Sequence, residues 1–165
     1  MKTKFLGYAA LIGVVFSCSS DDDNSSTTVS YAGTYAMTAF NVSVPQDLNA
    51  DGIASVNQMN ETNCFNGNTL ILNENNTFTM TEKGIDIVTD GVNETLDCYD
   101  DGTYTGTWSL VGNSIKLDGE FGIELFKFAD NKLTQSIENG EVVANLPNGG
   151  VAYVTANIDV VFTKQ

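Results

Sequence analysis

Asp47, Asn49, Asp51, Gly52, Ile53 and Ser55 set oxygen donors at alternate positions around a glycine. This is the spacing of a calcium loop at positions 1, 3, 5, 6, 7 and 9. Carboxylate, amide and hydroxyl oxygens suit a hard cation, the Ile53 carbonyl supplies a backbone ligand, and glycine permits the sharp turn. Position 12 is Gln58 rather than a bidentate glutamate, so its amide or the nearby Glu61 would have to complete the shell. Calcium, in the weak extracellular range, is the candidate cofactor; an Asx-rich turn closed on its own backbone is the alternative.

The three cysteines divide into one and two. Cys18 ends the box Val15-Phe16-Ser17-Cys18, behind a positive Lys2 and Lys4 and an apolar run from Phe5 to Phe16. Residues 1–17 read as a lipoprotein signal peptide, with Cys18 as the acceptor of the diacylglycerol anchor and its acyl chains, palmitate among them. The run is too short to span a bilayer. An ordinary secretory signal with an incidental cysteine is the alternative. Ser19 and Ser20 resemble the sorting pattern of lipoproteins sent to the outer membrane, and Asp21 to Asp23 resemble the export signal of surface-displayed ones. Residues 18–30 are then a polar tether, and the expected location is the outer membrane, lipid-anchored at the cell surface. That leaves Cys64 and Cys98, an even number in an oxidising compartment, and one disulfide is expected between them. A two-cysteine metal site, the competing reading, lacks further sulfur or imidazole partners.

Seven lysines oppose twenty-one acids for a formal net charge of −14, and arginine and histidine are absent. Loss of Lys2 and Lys4 with the leader takes this to −16. Nucleic acid is excluded as a partner, because phosphate contacts need clustered basic side chains. Histidine triads, proton shuttles and histidine zinc sites are excluded as well. Glu94, Asp97, Asp100 and Asp101 crowd around Cys98, where a carboxylate pair could act as acid and base on a glycoside. They are expected in a turn without a flanking aromatic platform, so the chain reads as no enzyme and these as solvated loop acids.

The stretch that must position all of this, 31–165, is long enough for one domain and too short for two. Apolar residues recur at period two: Leu70 and Leu72; Phe78 and Met80; Tyr104, Trp108 and Leu110; Ile115 and Leu117; then Phe121, Ile123 and Leu125. The final strand carries Ala152, Val154, Ala156, Ile158, Val160 and Phe162 on one face. Turns are expected at 73–76, Asp101-Gly102, Gly112-Asn113, Asp118-Gly119, Asp130-Asn131 and Asn139-Gly140. The alternation slips between Met37 and Phe40 and again between Leu125 and Phe126, which predicts a bulge at each. No segment is a convincing helix, although 49–59 has room for a short one. With one long connection, 45–67, the pattern predicts an all-β domain: a single antiparallel up-and-down β-barrel of about eight strands. A two-sheet sandwich is the alternative.

Gly33-Thr34-Tyr35, the run Asp47 to Gly52, Cys64, Leu70-Ile71-Leu72-Asn73 leading into Asn76-Thr77-Phe78-Thr79, and Gly106-Thr107-Trp108-Ser109-Leu110 together resemble the bacterial lipocalin-like domain lipoproteins. The resemblance covers nearly all of 31–165 and implies a calyx-like barrel, with no particular ligand. Trp108, Tyr104, Phe78, Met80 and Phe121 are the large side chains expected to line it around a small apolar ligand. The alternative is a filled barrel, with the same residues as ordinary core and a structural or accessory interaction role.

Overall fold

The computed structural model describes residues 30–165. The leader, the lipidation cysteine Cys18 and the tether to residue 29 lie outside the described residues. Nine strands follow in order: β1 (Gly33–Gln46), β2 (Ser55–Asn57), β3 (Thr69–Leu72), β4 (Thr77–Asp90), β5 (Asn93–Val111), β6 (Ser114–Gly119), β7 (Gly122–Ala129), β8 (Lys132–Asn145) and β9 (Val151–Lys164). A 3-10 turn, Gln58–Asn60, follows β2. From β3 onward each strand pairs antiparallel with the next, β1 pairs with β3, and β9 closes on β1. The result is a closed eight-stranded barrel with β2 added outside it, along β1. Among the described residues no helix is long and apolar enough to cross a membrane.

Turn chemistry sets the hairpins. Asp130 and Asn131 both have positive φ, 51° and 59°, as a two-residue turn between β7 and β8 requires. Three expected turns behave differently: Asp118-Gly119 stays paired in β6, and the chain reverses just after it at Glu120-Phe121. Asp101-Gly102 and Asn139-Gly140 do not reverse the chain; each lies inside a long strand as an irregularity. β5 keeps pairing with β4 across the first, Glu82 with Gly102 and Lys83 with Asp100, which leaves Asp101 as the extra residue. The register of β8 against β9 likewise shifts between Ile137 and Gly140. A left-handed residue can be absorbed as a bulge wherever the partner strand runs on past it.

The slip in β1 is a bulge: Met37 pairs with Phe162 and Ala39 with Val161, so inward parity passes from Tyr35 and Met37 to Phe40 and Val42. The second slip is not. β7 runs in unbroken register against β6 from Gly122 to Lys127. Ile123 and Leu125 face outward, exposed together with Phe121, while Phe126 is fully buried. The apolar parity there belonged to the outer face.

The barrel is packed at one end. Tyr35, Leu70, Leu72, Phe78, Ile115, Leu117, Phe126, Leu133 and Phe162 are all less than 2% exposed. Phe126 meets Phe162 edge to face with ring centroids 6.0 Å apart. The Phe78 ring lies against Gly106 and Gly119 of the next two strands, where any Cβ would collide with it. Trp108 packs on this core and donates its indole N–H to the Asn73 carbonyl at 2.9 Å, bracing the β3–β4 turn. Burial pushes the phenol of Tyr35 up to about 12, and its hydroxyl donates to the Tyr31 carbonyl at 2.6 Å.

Candidate functional site

Towards the other end the inward positions change character. Above Phe78 and Met80, β4 continues with Glu82 and Gly84; above Phe126, β7 presents Glu124; above Leu133, β8 presents Gln135. Small and polar side chains cannot fill a barrel that large aromatics fill lower down. A cavity of about 490 Å³ results, floored by Met80 and Tyr104 and walled by Met37, Phe65, Glu124 and Gln135. A second chamber of about 460 Å³ sits beside it, among Leu48, Gln58, Ile85, Val142 and Tyr153. Phe40, Phe65, Tyr99 and Asp101 border both.

Wall height varies round the mouth. β4–β5 and β8–β9 are long hairpins, whereas β6–β7 between them is short. β5 pairs with β6 only from Gly106 to Val111, and β8 with β7 only from Lys132 to Thr134. The upper parts of β5 and β8 thus flank a notch above Phe121. Side chains rather than backbone span it: Gln135 Nε2 donates to Glu124 Oε2 at 3.1 Å, and the Tyr104 hydroxyl donates to Glu124 Oε1 at 3.1 Å. Phe121 closes edge to face on Tyr104 at 5.0 Å. Higher up, the Tyr153 hydroxyl donates to Asp86, tying the two long hairpins.

The β2–β3 connection covers one side of the mouth. Phe65 stacks on Phe40 with centroids 4.6 Å apart. Asn68 binds it to β4, accepting the Lys83 N–H at 2.7 Å and donating to the Lys83 carbonyl at 2.8 Å. The expected disulfide is present: Cys64 and Cys98 are bonded, with Cα atoms 5.1 Å apart. It ties this cover to β5 beside Tyr99.

The site is acidic. Burial, then the charges of Asp101 and Glu124, raise the Glu82 carboxyl above its ordinary value. Burial, then Glu124 and Glu82, raise the Tyr104 phenol, and burial followed by Glu82, Asp101 and Asp86 raises that of Tyr99. The one lysine at the cavity, Lys83, is held by Asp100 at 2.8 Å. Asp100 in turn is lowered by that lysine and by the Gly102 N–H.

Of the five side chains expected around a ligand, Tyr104, Met80 and Phe121 line the cavity, while Phe78 and Trp108 pack in the closed half. Glu94, Asp97 and Asp100 sit on strand β5, not in a turn, with exposed side chains; only Asp101, displaced by its bulge, borders the cavity. Sequence reasoning missed Glu82, Glu124, Tyr99, Phe40 and Phe65. The signal for the two glutamates was their parity, shared with Met80 and with Phe126.

The 47–53 loop closes on its own backbone. Asp47 accepts N–H bonds from Asp51 and Gly52 at 3.1 and 2.8 Å, and Asn49 Oδ1 accepts from Asp51 at 2.9 Å. Asp51 Oδ1 accepts from Ile53 at 2.8 Å. Three side-chain oxygen donors therefore converge, each with lone pairs to spare. Ser55 turns its hydroxyl to Asn57 and Asn60, and Gln58 is buried at the second chamber. Neither supplies the loop. Among the described residues no three acidic or thiol side chains gather as a metal cluster.

No protein-family model, curated protein or solved structure matches this chain.

Proposed function

We propose that the chain is a lipid-anchored binding protein of the outer membrane surface, whose barrel holds a small molecule with an apolar body. One observation carries the reading: the barrel is packed solid at one end and hollow at the other, with about 490 Å³ open through a notch. That volume lies in the range of small-molecule sites, and its aromatic walls with a few convergent polar groups have their character. Anchoring at Cys18 rests on the leader residues alone. The proposed role is non-catalytic.

Native mass spectrometry of the intact chain from its own membranes tests this. The expected result is a mass increment of one small molecule, released by denaturation and lost when Tyr104→Trp fills the floor. A chain that carries no adduct and takes up none from a library of small apolar and amphipathic compounds overturns it. Radiolabelled palmitate incorporation, abolished by Cys18→Ala, tests the anchor.

An accessory role in a membrane assembly has one feature in its favour. Phe121, Ile123 and Leu125 are each more than half exposed along the β6–β7 turn and β7, more apolar surface than scattered single residues present. A stoichiometric partner in pull-downs, lost on Ile123→Lys, would support that role.

A further inference from the structure

The chemistry of the hollow end is lopsided. Three carboxylates, Glu82, Asp101 and Glu124, border one chamber, and Asp86, Asp101 and Glu141 border the other. The only cation among these residues, Lys83, is already taken by Asp100. Hydrogen-bond capacity leans the same way. Gln58, 3% exposed and lining the second chamber, has a carbonyl oxygen Oε1 with no donor. The Tyr104 hydroxyl, set between Met80 Sδ and Glu124, and one N–H of the Gln135 amide are directed within the wall. What remains open is an excess of acceptors between aromatic faces, those of Phe65, Tyr99 and Tyr104.

We infer that the occupant is an organic cation: an amine or quaternary ammonium with an aromatic or short aliphatic body, its charge set among Glu82, Asp101 and Glu124. This rests on the barrel being a binding module, as proposed above, and names the class of ligand. A protonated amine is all donors and no acceptor, which matches the open acceptors, and a quaternary ammonium matches by charge alone. Its charge offsets the cost of desolvating carboxylates that a neutral ligand would bury unpaired. Ring faces add cation–π attraction. An anion meets three like charges with no free cation to receive it. The Glu82 carboxyl, raised by burial and then by the charges of Asp101 and Glu124, accords with this, since a cation beside it would relieve those like charges.

The test is a matched series, 4-phenylbutylammonium, 4-phenyl-1-butanol and 4-phenylbutyrate, titrated by calorimetry into the intact chain in lipid nanodiscs, with empty discs as blank. The cation is expected to bind at least tenfold tighter than the alcohol, and the carboxylate least of all. Glu82→Gln with Glu124→Gln is expected to bring the cation down to the affinity of the alcohol. Should that double variant not fold, Tyr99→Leu, which keeps all three carboxylates, is expected to weaken the cation more than the alcohol. An alcohol or carboxylate that binds as tightly as the cation overturns the cation while leaving the binding module in place. If none of the three binds, and 1-dodecanol does not either, both fall.

Discussion

The ring of Tyr99 lies over the backbone of Gly84, its cross-strand partner, so closely that a Cβ at position 84 would stand 2.5 Å from the phenol oxygen and 2.6 Å from the ring carbon that bears it. The glycine is what lets an aromatic side chain lie flat across the cavity mouth. Gly84→Ala is therefore expected to lift the ring and to cost about 1–3 kcal/mol, the range for overpacking. Urea midpoints measure the loss. Adding Tyr99→Leu should restore part of it, a coupling that two independent sites would lack.

Removal of the Cys64–Cys98 bond releases a loop of 34 residues in sequence separation. Chain entropy alone assigns it about 3 to 4 kcal/mol. Cys64→Ser with Cys98→Ser is expected to lower the denaturation free energy by that order and to free the Phe65 side of the mouth first. Hydrogen exchange at residues 61–68 would register the second effect. An unchanged midpoint would mean the unfolded chain is already compact.

Glu82 makes stability depend on pH in a direction opposite to that of a salt-bridged acid. Its carboxyl is raised by burial, then by Asp101 and Glu124; Tyr99, Tyr104 and Lys83 also line this wall. Between the ordinary value of 4.5 and the raised one, the folded state holds more protons than the unfolded, so stability falls as pH rises through that window. Glu82→Gln is expected to raise the melting temperature at neutral pH, and the gain should vanish below 4.5. Melting curves from pH 4 to 7 decide it.

A calcium ion at the 47–53 loop would take oxygens from Asp47, Asn49 and Asp51, with water finishing the shell and an affinity in the weak extracellular range. At a dissociation constant of about 1 mM, 10 mM calcium stabilises by about 1.4 kcal/mol, a shift of a few degrees. Asp51→Ala should abolish the shift. Asp47→Ala should also destabilise the calcium-free chain by about 1 kcal/mol, since the Gly52 N–H loses its acceptor while that of Asp51 keeps Asn49. A melting temperature indifferent to calcium would leave the loop as a turn only.

Barrel closure, the disulfide and the bulge in β1 were all legible, because period-two patterning, cysteine parity and a parity slip at Met37 to Phe40 are local signals. Division of the interior into a solid and a hollow end was also written there, in Glu82, Gly84, Glu124 and Gln135 at inward parity, but charge at those positions reads as surface until the ring is closed. Asp101 could not be placed, since a bulge and a turn use the same Asp-Gly chemistry and only the partner strand decides. Trp108 misled for a different reason. Its size suits a pocket floor, but an indole N–H goes where a carbonyl awaits it, and Asn73 lies at the closed end.

Both ends of the described residues, Ser30 and Gln165, lie at the solid base of the barrel. Lys164 Nζ donates to the Ser30 carbonyl at 2.6 Å, and the Gln165 N–H donates to the Thr34 carbonyl at 2.9 Å. On the proposed anchoring at Cys18, a polar leash of a dozen residues would have a root-mean-square reach of about 20 Å and would join the barrel at the end opposite the notch. That attachment would aim the opening outwards, towards the medium. A binding protein so mounted would load from dissolved material arriving from the surroundings rather than from the lipid leaflet beneath it, and its encounter rate with a positively charged solute would fall as salt is added.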